Sequence, residues 1–391
     1  MTKFPVAAPA PGATFVIIST DAPADKPPKP KNCREILVGR PAPQPANFPG
    51  PQYPITVERN FYITVQLNNE EVFSMARLTL STQVAVLTLM DNFFDGLLPS
   101  TPVARRRRGL AAPGPVAPLP PPLTAEHGLS FLVQVVTEGQ RHTVLFDFGG
   151  SKDGVVRNLA PLRVDLATVG ALVLSHGHFD HFTGLEELAR DLPAGGLPFY
   201  VGPEAFHRRF LARPDGVLVD LGRLDPERVR GLGLEIREVR EPQEILPGIL
   251  VTGPIPRVTP FERGTPALLV ERNGERQTDD FPGELSLVFN LAGRGLVVLT
   301  ACAHAGVINT VRWAREVTGE EKVYAVLGGF HLSGAPEEVV RNTVDSLKAL
   351  GPRYVVPMHC TGFFAVRLLA AEMPEAFVLA STGTEYVFAA E

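Results

Sequence analysis

From residue 83 onward, short apolar runs alternate with stretches of helical period. Val84-Ala85-Val86-Leu87-Thr88-Leu89 predicts the first core strand, ending at Asp91-Asn92. Apolar runs of about four to eight residues bounded by turn residues fit strands buried on both faces. Phe131 to Val136 and Thr143 to Phe146 predict a hairpin about Glu138-Gly139-Gln140, ending at Asp147-Phe148-Gly149-Gly150. Further strands are predicted at Ala171 to Leu174, Phe199 to Val201, Glu235 to Val239, Ile249 to Val251, Val326-Leu327 and Tyr354 to Val356. Leu285 to Leu291 and Gly295 to Leu299 predict a second hairpin about Ala292-Gly293-Arg294. Asn158 to Leu166 reads as a connection with short helical character, and helices are predicted over Thr183 to Asp191, Pro203 to Leu211, Val307 to Val317 and Phe363 to Met373. Another begins at Pro336, with Glu337 and Glu338 in its first turn, and runs through Val339, Val340, Val344 and Leu347. Residues 254–282 read as a polar loop region.

The first 82 residues follow a different pattern. Pro27-Pro28-Lys29-Pro30 and Pro41-Ala42-Pro43-Gln44-Pro45 predict extended chain. Val16-Ile17-Ile18 predicts a short strand, and Ile55 to Glu58 with Tyr62 to Leu67 alternate as a candidate hairpin. A long loop is predicted from Pro99 to Leu123, with Arg105 to Arg108 as a solvated basic cluster within it.

Polar chemistry collects where the apolar runs end. Ala171 to Leu174 is followed at once by Ser175-His176-Gly177-His178-Phe179-Asp180-His181, three histidines and a carboxylate within one loop. Imidazole and carboxylate suit zinc, manganese or iron. Gly295 to Leu299 leads to Thr300-Ala301-Cys302-Ala303-His304, and Tyr354 to Val356 leads to Met358-His359-Cys360. Val326-Leu327 leads to Gly328-Gly329-Phe330-His331. Six of the nine histidines thus stand at predicted strand ends. In α/β folds, sites form at the carboxyl ends of strands. Helices opening at Gly306 and Gly362 there present free N–H groups suited to an anion. His331 reads equally as a core histidine or as a substrate contact.

Composition narrows the function. Hydrophobic residues make up 45% and charged residues 20% of the chain, as in a globular protein with a sizeable core. A net charge of −5 does not point to nucleic acid or an anionic membrane. No apolar run reaches the ~20 residues of a membrane span. No signal peptide is apparent, so the expected location is the cytoplasm. Three cysteines, Cys33, Cys302 and Cys360, are too scattered for a disulfide framework, and two of them lie beside histidines.

The His-x-His-x-Asp-His loop and Asp147 resemble the metallo-β-lactamase superfamily over about residues 83–391. Within it, Glu126-His127-Gly128-Leu129-Ser130, Ala303-His304-Ala305-Gly306, Gly328-Gly329-Phe330-His331-Leu332 and His359-Cys360-Thr361-Gly362 resemble the 7,8-dihydropterin-6-methyl-4-(β-D-ribofuranosyl)aminobenzene 5′-phosphate synthase-like branch. Thr252-Gly253-Pro254-Ile255-Pro256-Arg257 and Phe261-Glu262 echo a further stretch of it. The resemblance implies a four-layer αββα sandwich over residues 83–391, preceded by a Pro-rich extension over 1–82 that is a candidate oligomerisation element. It implies two divalent ions, zinc before manganese or iron. His176, His178 and His304 would hold one, and Asp180, His181 and His359 the other. Asp147 would orient the histidine loop, Asp180 would steer the nucleophile and His331 would serve the reaction. Glu126, His127 and Arg257 are expected around the ligands or on substrate. The superfamily's usual bridging aspartate is missing, and Ala301-Cys302 stands at the comparable strand end, so either Cys302 takes that place or no bridge exists. The implied function is a hydrolase or transferase acting on a small phosphorylated or pterin-like anion. A mononuclear iron oxygenase and a metal-stabilised binding protein are the alternatives.

Overall fold

The computed structural model describes residues 78–107 and 121–391, together with the backbone of three earlier strands, Thr14–Ser19, Arg34–Glu35 and Tyr62–Gln66. The chain forms two compact units, Met1–Met75 and Ala76–Glu391. In the first, Thr14–Ser19 is the central strand of an antiparallel sheet and sets Ile17 opposite Ile63. Tyr62–Gln66 therefore pairs with the strand expected near Val16. Its expected partner, Ile55 to Glu58, lies outside the described residues.

The second unit is built on two large sheets. One has eight strands, in the order Leu234–Glu238, Leu197–Val201, Ala171–Leu174, Gln140–Phe146, Ser130–Thr137, Gln83–Met90, Thr384–Ala389 and Ala104–Arg106. The other has seven and runs Gln243–Leu246, Ile249–Val251, Leu287–Leu291, Gly295–Leu299, Val323–Gly329 and Tyr354–Met358, with Leu80–Ser81 paired to Leu287–Leu291.

Alternation along each strand explains why the runs are apolar throughout. Val84, Val86, Phe131, Val133, Val144, Phe146 and Val173 of the first sheet share one core with Leu287, Phe289, Val297, Leu299 and Leu327 of the second. Intervening residues point the other way. Leu87, Leu89, Leu145, Leu172 and Leu174 pack under the helix Gly154–Leu162 and its neighbours. Val288, Val298 and Val326 pack under Val307–Thr318, Glu337–Leu350 and Phe363–Glu372. The result is the expected helix–sheet–sheet–helix layering, since a strand with helix on one side and sheet on the other has no wet face.

Several expectations are corrected. Pro203 to Leu211 is not a helix: Glu204 takes a left-handed φ of 61°, which breaks the turn, and Arg209–Ala212 is a strand. Residues 254–282 are not all loop, because Leu268–Arg272 and Glu275–Thr278 are strands. With Arg209–Ala212 and Leu218–Gly222 they form a separate four-stranded sheet. The helix expected over Thr183 to Asp191 is broken into Phe179–Phe182, Leu185–Leu188 and a 3-10 turn, Ala189–Asp191. Within the basic cluster, Arg106 and Arg107 are tied down. Ala104–Arg106 is an edge strand on Thr384–Ala389, Arg106 donates to Leu379 O, and Arg107 pairs with Glu385 at 2.8 Å. Among the described residues no helix is long and apolar enough to cross a membrane.

Because Ala76–Glu391 is compact by itself, a chain lacking residues 1–75 is expected to keep the thermal transition and metal content of the full chain. Insolubility or loss of metal would show that the first unit completes the second.

Candidate metal centre

Six strands carry the site at their carboxyl ends: Gln83–Met90, Gln140–Phe146, Ala171–Leu174, Gly295–Leu299, Val323–Gly329 and Tyr354–Met358. The chain turns sharply there. Of the nine non-glycine residues at positive φ among the described residues, Asp147, Phe281, Ala303, His331 and His359 lie at this edge. Such backbone costs of order 1–3 kcal/mol per residue and persists only where the surroundings fix it.

Asp147 organises the histidine loop. Its Oδ1 accepts from Ser175 N at 2.7 Å, and its Oδ2 accepts from Ser175 Oγ at 2.7 Å and faces His181 Nδ1 at 2.7 Å. Ser175 Oγ, having given its proton to Asp147, accepts from His176 Nδ1 at 2.9 Å. Both histidines are thereby held with Nδ1 protonated, which leaves Nε2 as the nitrogen available to a metal. Gly177 has no room for a side chain, since a Cβ would meet Ala205 O and Arg209 Nη1. Arg209 is itself fixed by a buried pair with Asp279 at 2.7 Å.

Three ring nitrogens then converge. His176 Nε2 lies 3.1 Å from His178 Nδ1 and 3.2 Å from His304 Nε2. Nitrogens at 2.0–2.1 Å from one tetrahedral ion stand about 3.3–3.4 Å apart, so this spacing fits a metal's ligand corners. Burial, reinforced by the neighbouring charged groups, pushes His176 and His304 well below the ordinary imidazole value. Burial does the same for His178, against the pull of Asp180. All three are thus kept neutral, the form that binds a metal. Phe281 closes this end, stacked on His304 with ring centroids 3.9 Å apart.

A second group adjoins the first. Asp180 Oδ2 lies 3.2 Å from His359 Nε2, 3.6 Å from His181 Nε2 and 3.3 Å from His127 Nε2. Burial opposes the charge on Asp180, but His181 and His359 outweigh it and hold the carboxyl well below its usual range. Burial likewise opposes a charged His181, yet Asp180 and Asp147 raise it to about 9. His359 is held by Asn92, whose Oδ1 faces Nδ1 at 2.9 Å, and by Asp91, whose Oδ1 accepts from His359 N at 2.9 Å. His359 Nε2 is buried without a well-formed hydrogen bond, as are His178 Nε2 and His304 Nδ1. Of these, His359 Nε2 beside the Asp180 carboxylate is the kind of donor a divalent cation satisfies, whereas the other two are the ring nitrogens opposite those that meet at His176.

The remaining expected residues divide into props and mouth. Glu126 accepts from Gly150 N at 3.0 Å and Ser151 N at 3.1 Å, which pins the turn after Asp147. Arg257 is not aimed at a substrate: its Nη1 donates to His304 O at 2.7 Å and its Nη2 to Asp280 O at 3.2 Å. The helix N-terminus at Gly306, expected to receive an anion, is already filled. Glu262 accepts from Ile308 N and Asn309 N at 2.8 and 2.9 Å. No side chain caps the helix that follows Gly362. His127 stacks on His359 at 4.8 Å with its side chain 58% exposed, and His331 is half-buried with its ring 4.0 Å from His304. These two histidines mark the open edge. Cys302 Sγ sits 3.2 Å from His181 Nε2, and burial pushes its thiol well up.

Reading the sequence missed the supports. Asp91 and Asn92 end a predicted strand as the histidine motifs do, a signal present but unused. Glu284, which accepts from His304 N and Ala305 N at 2.6 Å each, has no local signature. Phe281 reaches the histidines only through the turn that follows the four-stranded sheet.

Comparison with known proteins agrees with this geometry. A family model described as the metallo-beta-lactamase superfamily matches residues 123–359. A 7,8-dihydropterin-6-methyl-4-(beta-D-ribofuranosyl)-aminobenzene-5'-phosphate synthase of Methanocaldococcus jannaschii is 31% identical over 260 residues, covering 66% of this chain and 88% of the relative. An uncharacterized protein of the same organism is 28% identical over 256 residues, covering 63% and 88%. Among solved structures, Tm1679, a metal-dependent hydrolase of the beta-lactamase superfamily, superposes with a TM-score of 0.60 at 26% identity. It covers 78% of this chain and 99% of its own.

Proposed function

The chain belongs to the metallo-β-lactamase superfamily, and from that premise we propose that it is a two-metal enzyme, zinc-dependent by preference, acting on a small phosphorylated or pterin-like anion. The observation that carries this reading is the approach of His178 Nδ1 and His304 Nε2 to His176 Nε2, at 3.1 and 3.2 Å, beside a second ligand group. His176, His178 and His304 would hold one ion, and Asp180, His181 and His359 the other. When bound, the pair supplies Lewis-acid charge stabilisation and an acidified water. The chain's own residues do the rest. Asp147, Glu284 and Asn92 fix the rings before substrate arrives. Asp180 orients the attacking group. His127 and His331, at the open edge, contact substrate and exchange protons at their ring nitrogens. The uncapped helix N-terminus after Gly362 receives a phosphate oxygen. The substrate class follows the relative from Methanocaldococcus jannaschii, whose name carries both a pterin and a phosphate.

The test has two parts. Protein purified without added metal should carry two divalent ions per chain; one iron per chain would overturn the dinuclear reading. The loaded protein is then given a dihydropterin methyl diphosphate with and without the ribofuranosyl-aminobenzene phosphate. Acceptor-dependent release of diphosphate marks a transferase, and acceptor-independent release marks a hydrolase. No release from this or from simple phosphate esters would overturn the substrate class.

Metal uptake should also depend on pH. His181 is raised to about 9 in the metal-free chain, so it holds a proton at pH 7 that a ligand nitrogen must lose. Affinity for the second ion should therefore climb about tenfold per pH unit between 7 and 9 and level off above. Proton release on zinc addition, followed with an indicator dye, checks this; a pH-independent affinity would contradict it.

A further inference from the structure

Cys302 belongs to both ligand groups at once. Its Sγ, His176 and His304 place their ligand atoms within 4.8 Å of one another, and Sγ, His181 and His359 do the same. One of these contacts, Sγ to His181 Nε2, is 3.2 Å. A sulfur at ~2.3 Å and a nitrogen at ~2.05 Å from one ion stand about 3.5 Å apart at a tetrahedral angle. Cys302 is 2% exposed, so no substrate or solvent competes for it. It stands just beyond the strand Gly295–Leu299, where Thr300 is anchored to the next strand through Leu327 O and Gly329 O. His359 Nε2, buried without a well-formed hydrogen bond and 3.2 Å from Asp180 Oδ2, faces the same space, the arrangement a cation would satisfy.

We infer that Cys302 supplies a thiolate that bridges the two metal ions, in place of the carboxylate that bridges them in most of the superfamily. The inference rests on the dinuclear reading above. A metal-bound thiol loses its proton outright, so each chain gives up one proton from sulfur and gains one sulfur bond to each ion. A shared soft ligand also shifts preference from manganese and magnesium toward zinc and iron.

Cobalt(II) alone is the probe. Titrated into metal-free full-length protein, it should bring up a sulfur-to-cobalt charge-transfer band in the near ultraviolet that grows over both equivalents. Cys302→Ser should lose the band and bind the second ion at least about tenfold more weakly, a loss at the lower bound of the ~10–100-fold cost of disturbing a ligand's outer partner. Cys302→Asp should lose the band yet keep two ions, because a carboxylate can also bridge; its binding also shows that the fold survives substitution. A band complete at the first equivalent would make Cys302 a terminal ligand and overturn the bridge. A band that survives Cys302→Ser but vanishes in Cys360→Ser would move the role to Cys360 and overturn it as well. Two ions with no band would sink the bridge and leave the dinuclear reading standing; no cobalt bound would sink both.

Discussion

Replacing His178 with alanine should abolish turnover and strip the first ion from the protein. His178 Nδ1 lies 3.1 Å from His176 Nε2, and its ring is buried against those of His176 and Phe281. Without it two ring nitrogens remain for that ion, and the vacated corner opens toward Phe281 rather than toward a polar group. Disturbing only an outer partner of a ligand costs ~10–100-fold in affinity or activity, so loss of the ligand itself should exceed that range. Elemental analysis and a phosphate-ester assay on the same preparation read both effects. Full activity with unchanged metal content would refute the assignment. The fold should survive, because His178 lies at the rim of the core and its loop is anchored through Ser175 and His181 instead.

The second large effect is expected at Asp147, where two substitutions separate support from stability. Asp147→Ala removes acceptors from Ser175 N, Ser175 Oγ and His181 Nδ1, all buried. Breaking a buried charged pair costs roughly 3–5 kcal/mol, a large part of the ~5–15 kcal/mol that holds a domain folded. Alanine also tolerates the left-handed φ of 59° poorly. Asp147→Asn keeps the shape, and asparagine is at ease in that backbone region. Its amide, however, presents a donor where His181 needs an acceptor. The imidazole must then accept at Nδ1 and carry its proton on Nε2, the nitrogen that faces Asp180. Asp147→Asn should therefore fold nearly as well as the parent but bind the second ion ~10–100-fold more weakly. Thermal unfolding and zinc titration check the pair. Equal metal affinity in Asp147→Asn and the parent would show that Asp147 acts on stability alone.

Much of the molecule was legible before its structure. Runs such as Ala171 to Leu174 and Gly295 to Leu299 are apolar at every position, which only strands covered on both faces require. The histidines advertised themselves because a ligand cluster within one loop needs no tertiary information to be noticed. Pro203 to Leu211 misled for a physical reason. Its composition suits a helix, but Arg209 is drawn into a buried pair with Asp279, and Arg209–Ala212 is a strand against Leu268–Arg272. Helix propensity is worth a few tenths of a kcal/mol per residue and yields to such pairing. Arg257 was expected around the ligands or on substrate, and the structure sets it on the backbone carbonyl of His304, a choice between the two that the sequence left open.

The sequence by itself determined the strand–site–helix rhythm, the two-faced core and the identity of the six ligand-type residues. Those properties are local: they depend on side-chain type and on spacing along one segment. Only the tertiary structure brought the candidate ligands together, because His176 and His304 lie 128 positions apart and meet through sheet packing alone. It also decided the ring tautomers, through Asp147, Ser175 and Asn92. It set Cys302 between both groups and showed that Glu262 already fills the helix end at Gly306. Each of these turns on distances of a few tenths of an ångström between residues far apart in the chain, which no one-dimensional pattern encodes.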